Sequence, residues 1–103
     1  MIESKVSLRY AKSLLDTTDS LASSDLVLKD FDYILKIIKS SKELASLFRS
    51  PIIQNWKKKK ILKEIFEPTI SKLTLDFLML ITEKHREILI FSIIQQYINL
   101  YNI

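Results

Sequence analysis

His85 is the only histidine of the 103-residue chain and stands in the run TEKHRE. As a general base or metal ligand it would need partners, and Lys84 and Arg86 instead flank it with positive charge that repels a cation. Its expected place is an exposed junction between two helices. Cysteine is absent, which excludes a thiolate metal site, a cysteine nucleophile and a disulfide. A transition-metal site would then need clustered carboxylates, and no Asp or Glu set has ligand spacing. Asp16, Asp19, Asp25, Asp30 and Asp32 are expected on polar helix faces or in the loop after the first helix. None is expected alone inside an apolar stripe, where burial would tune a carboxylate for catalysis. Ser20, Ser23, Ser24, Ser40, Ser41 and Ser50 fall at helix ends, where capping accounts for them. Without glycine, neither a phosphate-cradling loop nor a dinucleotide fingerprint can form. The sequence therefore reads as non-catalytic, with no cofactor and no metal.

The run NWKKKKILKEIF carries a different chemistry. Four lysines beside Trp56 could hold the phosphates of RNA or an anionic membrane surface, with the indole as an interfacial anchor. At about 100° per residue, however, Lys57, Lys58, Lys59 and Lys60 point four ways and build no stripe. At a helix N-terminus each also opposes the macrodipole, by up to ~1 kcal/mol. They are expected to form a solvated basic turn, with contact to an acidic patch of a neighbouring subunit as the second use. The net charge of +4 equals this one cluster, so no extended basic face exists. A basic helical module binding RNA or an anionic membrane through Lys57–Lys60 is the alternative function.

The elements that would position these residues are all helical. With 48% apolar and 27% charged residues, the chain is one globular domain with a single modest core. No run of 18 apolar residues and no signal-peptide core occur, so the chain reads as soluble and not secreted. Six helical segments are expected. The first spans about Ser4–Thr18. The second starts near Ser24, with Leu26, Val27, Phe31, Ile34, Leu35 and Ile38 inward. A short third follows a Ser40–Glu43 capping box and stops before Pro51. The fourth runs from Trp56 to Phe66, capped by Asn55, with Ile61, Leu62, Ile65 and Phe66 as its core stripe. The fifth begins at a Ser71 cap, and the sixth spans about Arg86–Asn102. The fold class is all-α, a six-helix bundle.

Two of these helices carry more apolar surface than one core contact uses. In SLRYAKSLLD, Val6, Tyr10 and Leu14 make one stripe, while Leu8, Ala11, Leu15 and Thr18 make a second beside it. In SKLTLDFLMLITEK, apolar side chains cover about 260° of the wheel and leave Lys72, Asp76 and Glu83 as a narrow polar seam. A helix of this kind lies at the centre of a bundle or between the bundle and a partner.

Four stretches, in order, resemble one family. RYAKSLLD is similar to the opening signature of the delta subunit of rotary ATP synthases, called oligomycin-sensitivity-conferring protein in mitochondria. ELASLFRSPIIQNWKKKKILKEIF, DFLMLITEKHREILI with Arg86, and IIQQYINLYN resemble its later elements, so the likeness spans nearly all 103 residues. The resemblance implies a six-helix N-terminal domain on top of the catalytic head. There a groove between helices 1 and 5 captures the N-terminal amphipathic helix of an alpha subunit. It implies a second, C-terminal domain gripping the b subunit of the peripheral stalk, which this chain is expected to lack. By position, Tyr10 matches the family's groove aromatic and Leu80 its groove aliphatic. The wheel extends these to Val6, Tyr10 and Leu14 facing Leu73, Phe77 and Leu80, with Asp76 and Lys84 on the rim. Phe77 and Leu14 are the members closest to ordinary core. Leu8, Ala11 and Leu15 are expected to face the bundle instead. Lys84-His85 stands where many relatives carry small or Asn-Gly-like residues at the turn. No nucleic acid and no membrane insertion are expected, and the implied setting is the cytoplasmic face of a bacterial membrane.

Overall fold

A computed structural model describes the backbone of residues 2–103 and the side chains from Lys5 onward. The helices are α1 (Ile2–Ser20), α2 (Ser24–Ser40), α3 (Lys42–Arg49), α4 (Asn55–Phe66), α5 (Lys72–Glu83) and α6 (Ile90–Tyr101). A 3-10 turn, Glu87–Leu89, leads into α6, where a single longer helix was expected. No strand occurs among the described residues, and the all-α six-helix bundle is the fold.

The longest packing seam runs between α1 and α6, while α4 and α5 form an antiparallel hairpin on the other side. Helix α2 lies across the middle and touches α1, α3, α5 and α6. Its Phe31 sits at the centre of the core, edge-on to Tyr97 at 5.1 Å and 6.2 Å from Phe77. Around it Ala11, Val27, Ile34, Leu62, Phe66, Leu78, Ile81, Ile93 and Ile94 are wholly buried. Apolar burial of this kind, about 25 cal/mol per Å², is what holds short helices that would be marginal alone.

Helix ends are set by local hydrogen bonds. Ser71 Oγ accepts from Thr74 N at 3.3 Å, capping α5 as its position suggests. The α3 cap sits one residue later than expected. Ser41, not Ser40, accepts from Leu44 N at 3.2 Å, while Ser40 turns back to the Ile37 carbonyl. Helix α4 begins after Gln54 with no side-chain cap, so Asn55 is its first residue rather than its cap. Ala22 and His85 take left-handed φ values of 55° and 58°. Each closes a helix in the manner usually left to glycine: Ser23 N reaches Thr18 O at 2.7 Å, and Arg86 N reaches Ile81 O at 2.9 Å. In a chain without glycine these residues accept a backbone cost of about 1 kcal/mol each.

One polar junction joins three helices inside the core. The Tyr97 hydroxyl of α6 lies 2.9 Å from Thr18 Oγ1 of α1 and donates to the Ser24 carbonyl at the start of α2, at 3.2 Å. Burial pushes the Tyr97 phenol above its ordinary value, with the Thr18 hydrogen bond acting in the opposite sense. A phenol raised on folding keeps its contribution below the unfolded pKa near 10 and loses it as pH climbs through the folded value. Tyr97→Phe is therefore expected to cost about 1 kcal/mol near neutral pH, where a hydrogen bond is lost. Above pH 10 the gap between variant and parent in urea unfolding should shrink. A gap that stays constant through pH 11 would contradict this role.

Two inward stripes differ from expectation. Leu26 of α2 and Ile65 of α4 are exposed, because α4 packs closely on α5 alone and Leu26 sits at the outer edge of the α2–α6 contact. Asp30 is buried rather than on a polar face. Its Oδ2 accepts from Ser71 N at 3.0 Å, Ser71 Oγ at 2.7 Å and Thr74 Oγ1 at 2.7 Å. A carboxylate satisfied by three donors at a helix N-terminus suits both the dipole and the desolvation it has undergone. Asp30 thereby fixes the first turn of α5 against α2.

Candidate groove between α1 and α5

With its first turn pinned by Asp30, α5 runs beside α1 without touching it closely along its length. The space between them is a groove of about 320 Å³. Tyr10, Ser13, Leu14 and Thr17 line one side, and Leu73, Asp76, Phe77 and Leu80 line the other. Both quartets have the spacing i, i+3, i+4, i+7, which is one face of a helix. Leu14 and Phe77 form the floor. They are 6% and 8% exposed and also belong to the core cluster, so they are core and groove at once. Tyr10 and Leu73 are half-buried on the walls, and Leu80 is 46% exposed at the lip.

Five expected apolar members, Tyr10, Leu14, Leu73, Phe77 and Leu80, are thus brought together with the expected rim residue Asp76. Val6 is not among them. It is buried against the bundle one turn before the groove begins. Lys84 is also outside, because it is the exposed C-cap of α5, one turn beyond Leu80. The expected split of α1 into an inner and an outer stripe needs correction as well. Ala11, Leu14 and Thr18 are the deepest side chains of α1 together with Ser7, while Leu8 and Leu15 are half-buried. The helix is rotated so that Leu14 points further in, because α6 rather than α5 is its main packing partner.

Ser13 and Thr17 line the groove and were absent from the apolar reading of the wheel. Their signal is positional: they complete the Tyr10–Leu14 face at i+3 and i+7. The Thr17 hydroxyl donates to the Ser13 carbonyl at 3.0 Å, which satisfies it within the helix and leaves its methyl group for a partner. Asp76 is the one charged member, and Lys72 holds it at 3.1 Å across one turn of α5.

The tetralysine behaves differently from a solvated turn. Lys58 points inward, 3% exposed, with its ammonium 2.5 Å from both Glu87 Oε2 and the Ser50 carbonyl. Glu87 is likewise buried, but with Lys58 as its partner it is not an acid alone in an apolar stripe. Lys59 reaches across the hairpin to Glu83 at 2.8 Å. That hydrogen bond, and then the charge of the ammonium, hold the Glu83 carboxyl below the usual carboxylate range. Of the four lysines in the run, Lys57 and Lys60 are exposed without an ion pair among the described residues. His85 is exposed at the turn after α5, and no cluster of three metal-ligating side chains exists among the described residues.

Fold and groove together define an all-helical domain with an open apolar cleft. Comparison with known proteins gives this class a family. Residues 6–103 match the ATP synthase delta (OSCP) subunit family. The ATP synthase subunit delta of Cytophaga hutchinsonii is 35% identical over 97 residues, covering 94% of this chain and 53% of that protein. The ATP synthase subunit delta of Amoebophilus asiaticus is 37% identical over 99 residues, covering 96% and 54%. A chloroplastic ATP synthase subunit delta from Gracilaria tenuistipitata is 30% identical over 97 residues, covering 94% and 52%. The chain belongs to the ATP synthase delta (OSCP) subunit family. It spans about half the length of the curated relatives it matches.

Proposed function

We propose that the chain is the N-terminal helical domain of a stator component of the rotary ATP synthase, without catalytic residues of its own. Its α1–α5 groove takes the N-terminal amphipathic helix of an alpha subunit. A further, C-terminal domain grips the b subunit of the peripheral stalk, so the two together tie the catalytic head to the stalk. The work is mechanical. A stator must resist torque without slipping, and burial of a helix along an apolar groove resists shear through many contacts rather than one bond.

The observation that carries this reading is the pairing of the two quartets. Tyr10, Ser13, Leu14 and Thr17 face Leu73, Asp76, Phe77 and Leu80 across an open cleft, and Leu80 stays exposed with no benefit to the fold. Grooves of this kind accept i, i+3, i+4, i+7 anchors of an amphipathic helix. An interface burying ~1,200–2,000 Å² in total reaches nanomolar affinity when its groove is preformed.

Isothermal titration with a peptide of the alpha-subunit N-terminal helix tests the assignment. Tyr10→Ala should weaken binding by about 1–3 kcal/mol, roughly 10- to 100-fold. Unchanged affinity, with circular dichroism showing an intact fold, would remove Tyr10 from the interface. A nucleic-acid or membrane module would instead bind with a steep salt dependence carried by Lys57–Lys60. The structure disfavours that alternative, since Lys58 is committed to Glu87 and Lys59 to Glu83. No described helix is long and apolar enough to cross a membrane. The domain meets the membrane-bound enzyme through its partners, on the cytoplasmic face in a bacterial setting.

A further inference from the structure

Helix α5 has a second open flank. Between it and α4 runs a groove of about 740 Å³, more than twice the volume of the cleft beside α1. Trp56, Lys59, Lys60, Lys63 and Glu67 line it from α4, while Lys72, Leu75, Asp76 and Met79 line it from α5, with Ile70 closing one end. The α5 members again follow i, i+3, i+4, i+7, and Trp56, Lys60, Lys63 and Glu67 follow i, i+4, i+7, i+11 on α4. Both helices therefore turn one face to the same cleft. Ile70, Leu75 and Met79 make an apolar floor, and the lysines stand along both rims.

Two features of this groove are unexplained by the fold. Trp56 is 62% exposed, although its indole N–H is satisfied within the turn by Gln54 Oε1 at 2.7 Å. An indole with its polar end already bonded and its ring in water contributes little to folding and much to an interface. The lining also carries four lysines against two carboxylates; Lys59 is paired with Glu83 outside the groove, and Lys60 has no ion pair among the described residues. Those acids are held only by solvent-exposed pairs, Lys63–Glu67 at 3.7 Å and Lys72–Asp76 at 3.1 Å, which cost little to exchange.

We propose that the α4–α5 groove is a second docking site, and that its occupant is an acidic amphipathic helix of a partner protein. Its apolar side lies on Ile70, Leu75 and Met79, its end packs against Trp56, and its carboxylates pair with Lys60, Lys63 and Lys72. From Trp56 to Glu67 the groove measures about 16 Å along α4, so it accommodates about three helical turns. Charge complementarity selects this occupant. The recessed apolar floor of Ile70, Leu75 and Met79 separates it from RNA, whose phosphates offer that floor nothing, and from a lipid surface, which favours a protruding apolar face. The site stands apart from the α1–α5 assignment, since the two clefts share only Asp76.

Trp56 is the only tryptophan, so intrinsic tryptophan fluorescence reports on this end of the groove. The probe is a 14-residue helical peptide with leucines at i, i+3, i+4, i+7 and glutamates elsewhere. It is tested beside the same peptide with lysines for glutamates, a poly-uridine oligonucleotide, and vesicles of phosphatidylglycerol. The expected result is a saturable blue shift with the Leu/Glu peptide only. Lys60→Glu with Lys63→Glu should weaken it at least tenfold, while Leu80→Asp leaves it unchanged. Circular dichroism establishes that each variant is folded, and all three positions are exposed. Three results would overturn the proposal: a shift insensitive to the charge reversal, an equal shift with the Leu/Lys peptide, or a shift with RNA or vesicles but not with the Leu/Glu peptide.

Discussion

Lys58→Ala is expected to destabilise the domain by about 3–5 kcal/mol, because it leaves Glu87 as an unpaired charge in the interior. The two side chains are 4% and 10% exposed, and the lysine also supplies the donor for the Ser50 carbonyl. Against a total stability of about 5–15 kcal/mol for a domain, such a loss is a large fraction. At about 4–8 °C per kcal/mol for a domain near this size, the melting temperature should fall by well over 10 °C. The double variant Lys58→Met with Glu87→Leu should recover most of the loss, since replacing both charges removes the desolvation burden together with the attraction. Urea unfolding of Lys58→Met, Glu87→Leu and the double variant closes the cycle. If Lys58→Ala unfolds at the parental midpoint, the pair is not formed in solution. This ion pair joins the first turn of α4 to the 3-10 turn that leads into α6, and the Ser50 bond ties in the α3–α4 connection. It therefore fixes where α4 begins relative to the rest of the bundle.

Leu80→Asp has the opposite profile. Leu80 is 46% exposed at the lip of the α1–α5 groove, so its loss should change stability by no more than about 0.5 kcal/mol. On binding, however, a carboxylate would be forced beneath the apolar face of the incoming helix, next to Asp76. Burying an uncompensated charge there should reduce affinity at least about 100-fold, or roughly 2.7 kcal/mol. The pair of measurements is decisive because the effects separate. Calorimetric titration should show binding lost while thermal unfolding stays near the parent. Retained binding would place the alpha-subunit helix elsewhere.

Helix existence, order and approximate bounds could be read from the sequence because apolar spacing, Ser71 and Pro51 act locally. The excess apolar arcs of α1 and α5 were equally visible, since a helical wheel needs no tertiary information. What the wheel could not supply was the rotation of each helix. Leu14 and Val6 turned inward because α1 packs on α6, a fact that no residue within α1 announces. Lys58 was hidden for a related reason: a lysine in a run of four looks solvated until its partner, 29 residues away, is known. Asp30 likewise reads as one of several polar residues on α2, and only the placement of Ser71 and Thr74 gives it a role. Ser13 and Thr17 were missed because the groove uses their small size rather than their polarity.

The family assignment rests on residues 6–103 as a whole, whereas the groove rests on eight side chains. Amide and methyl chemical shifts of the isotopically labelled domain, followed during titration with the alpha-subunit N-terminal helix peptide, test those eight directly. Saturating perturbations should cluster at Tyr10, Ser13, Leu14, Thr17, Leu73, Asp76, Phe77 and Leu80, leaving the Trp56 indole signal in place. Perturbations centred on Trp56, Lys60 and Met79, with Tyr10 and Leu80 unmoved, would contradict the assignment of the α1–α5 groove to this helix.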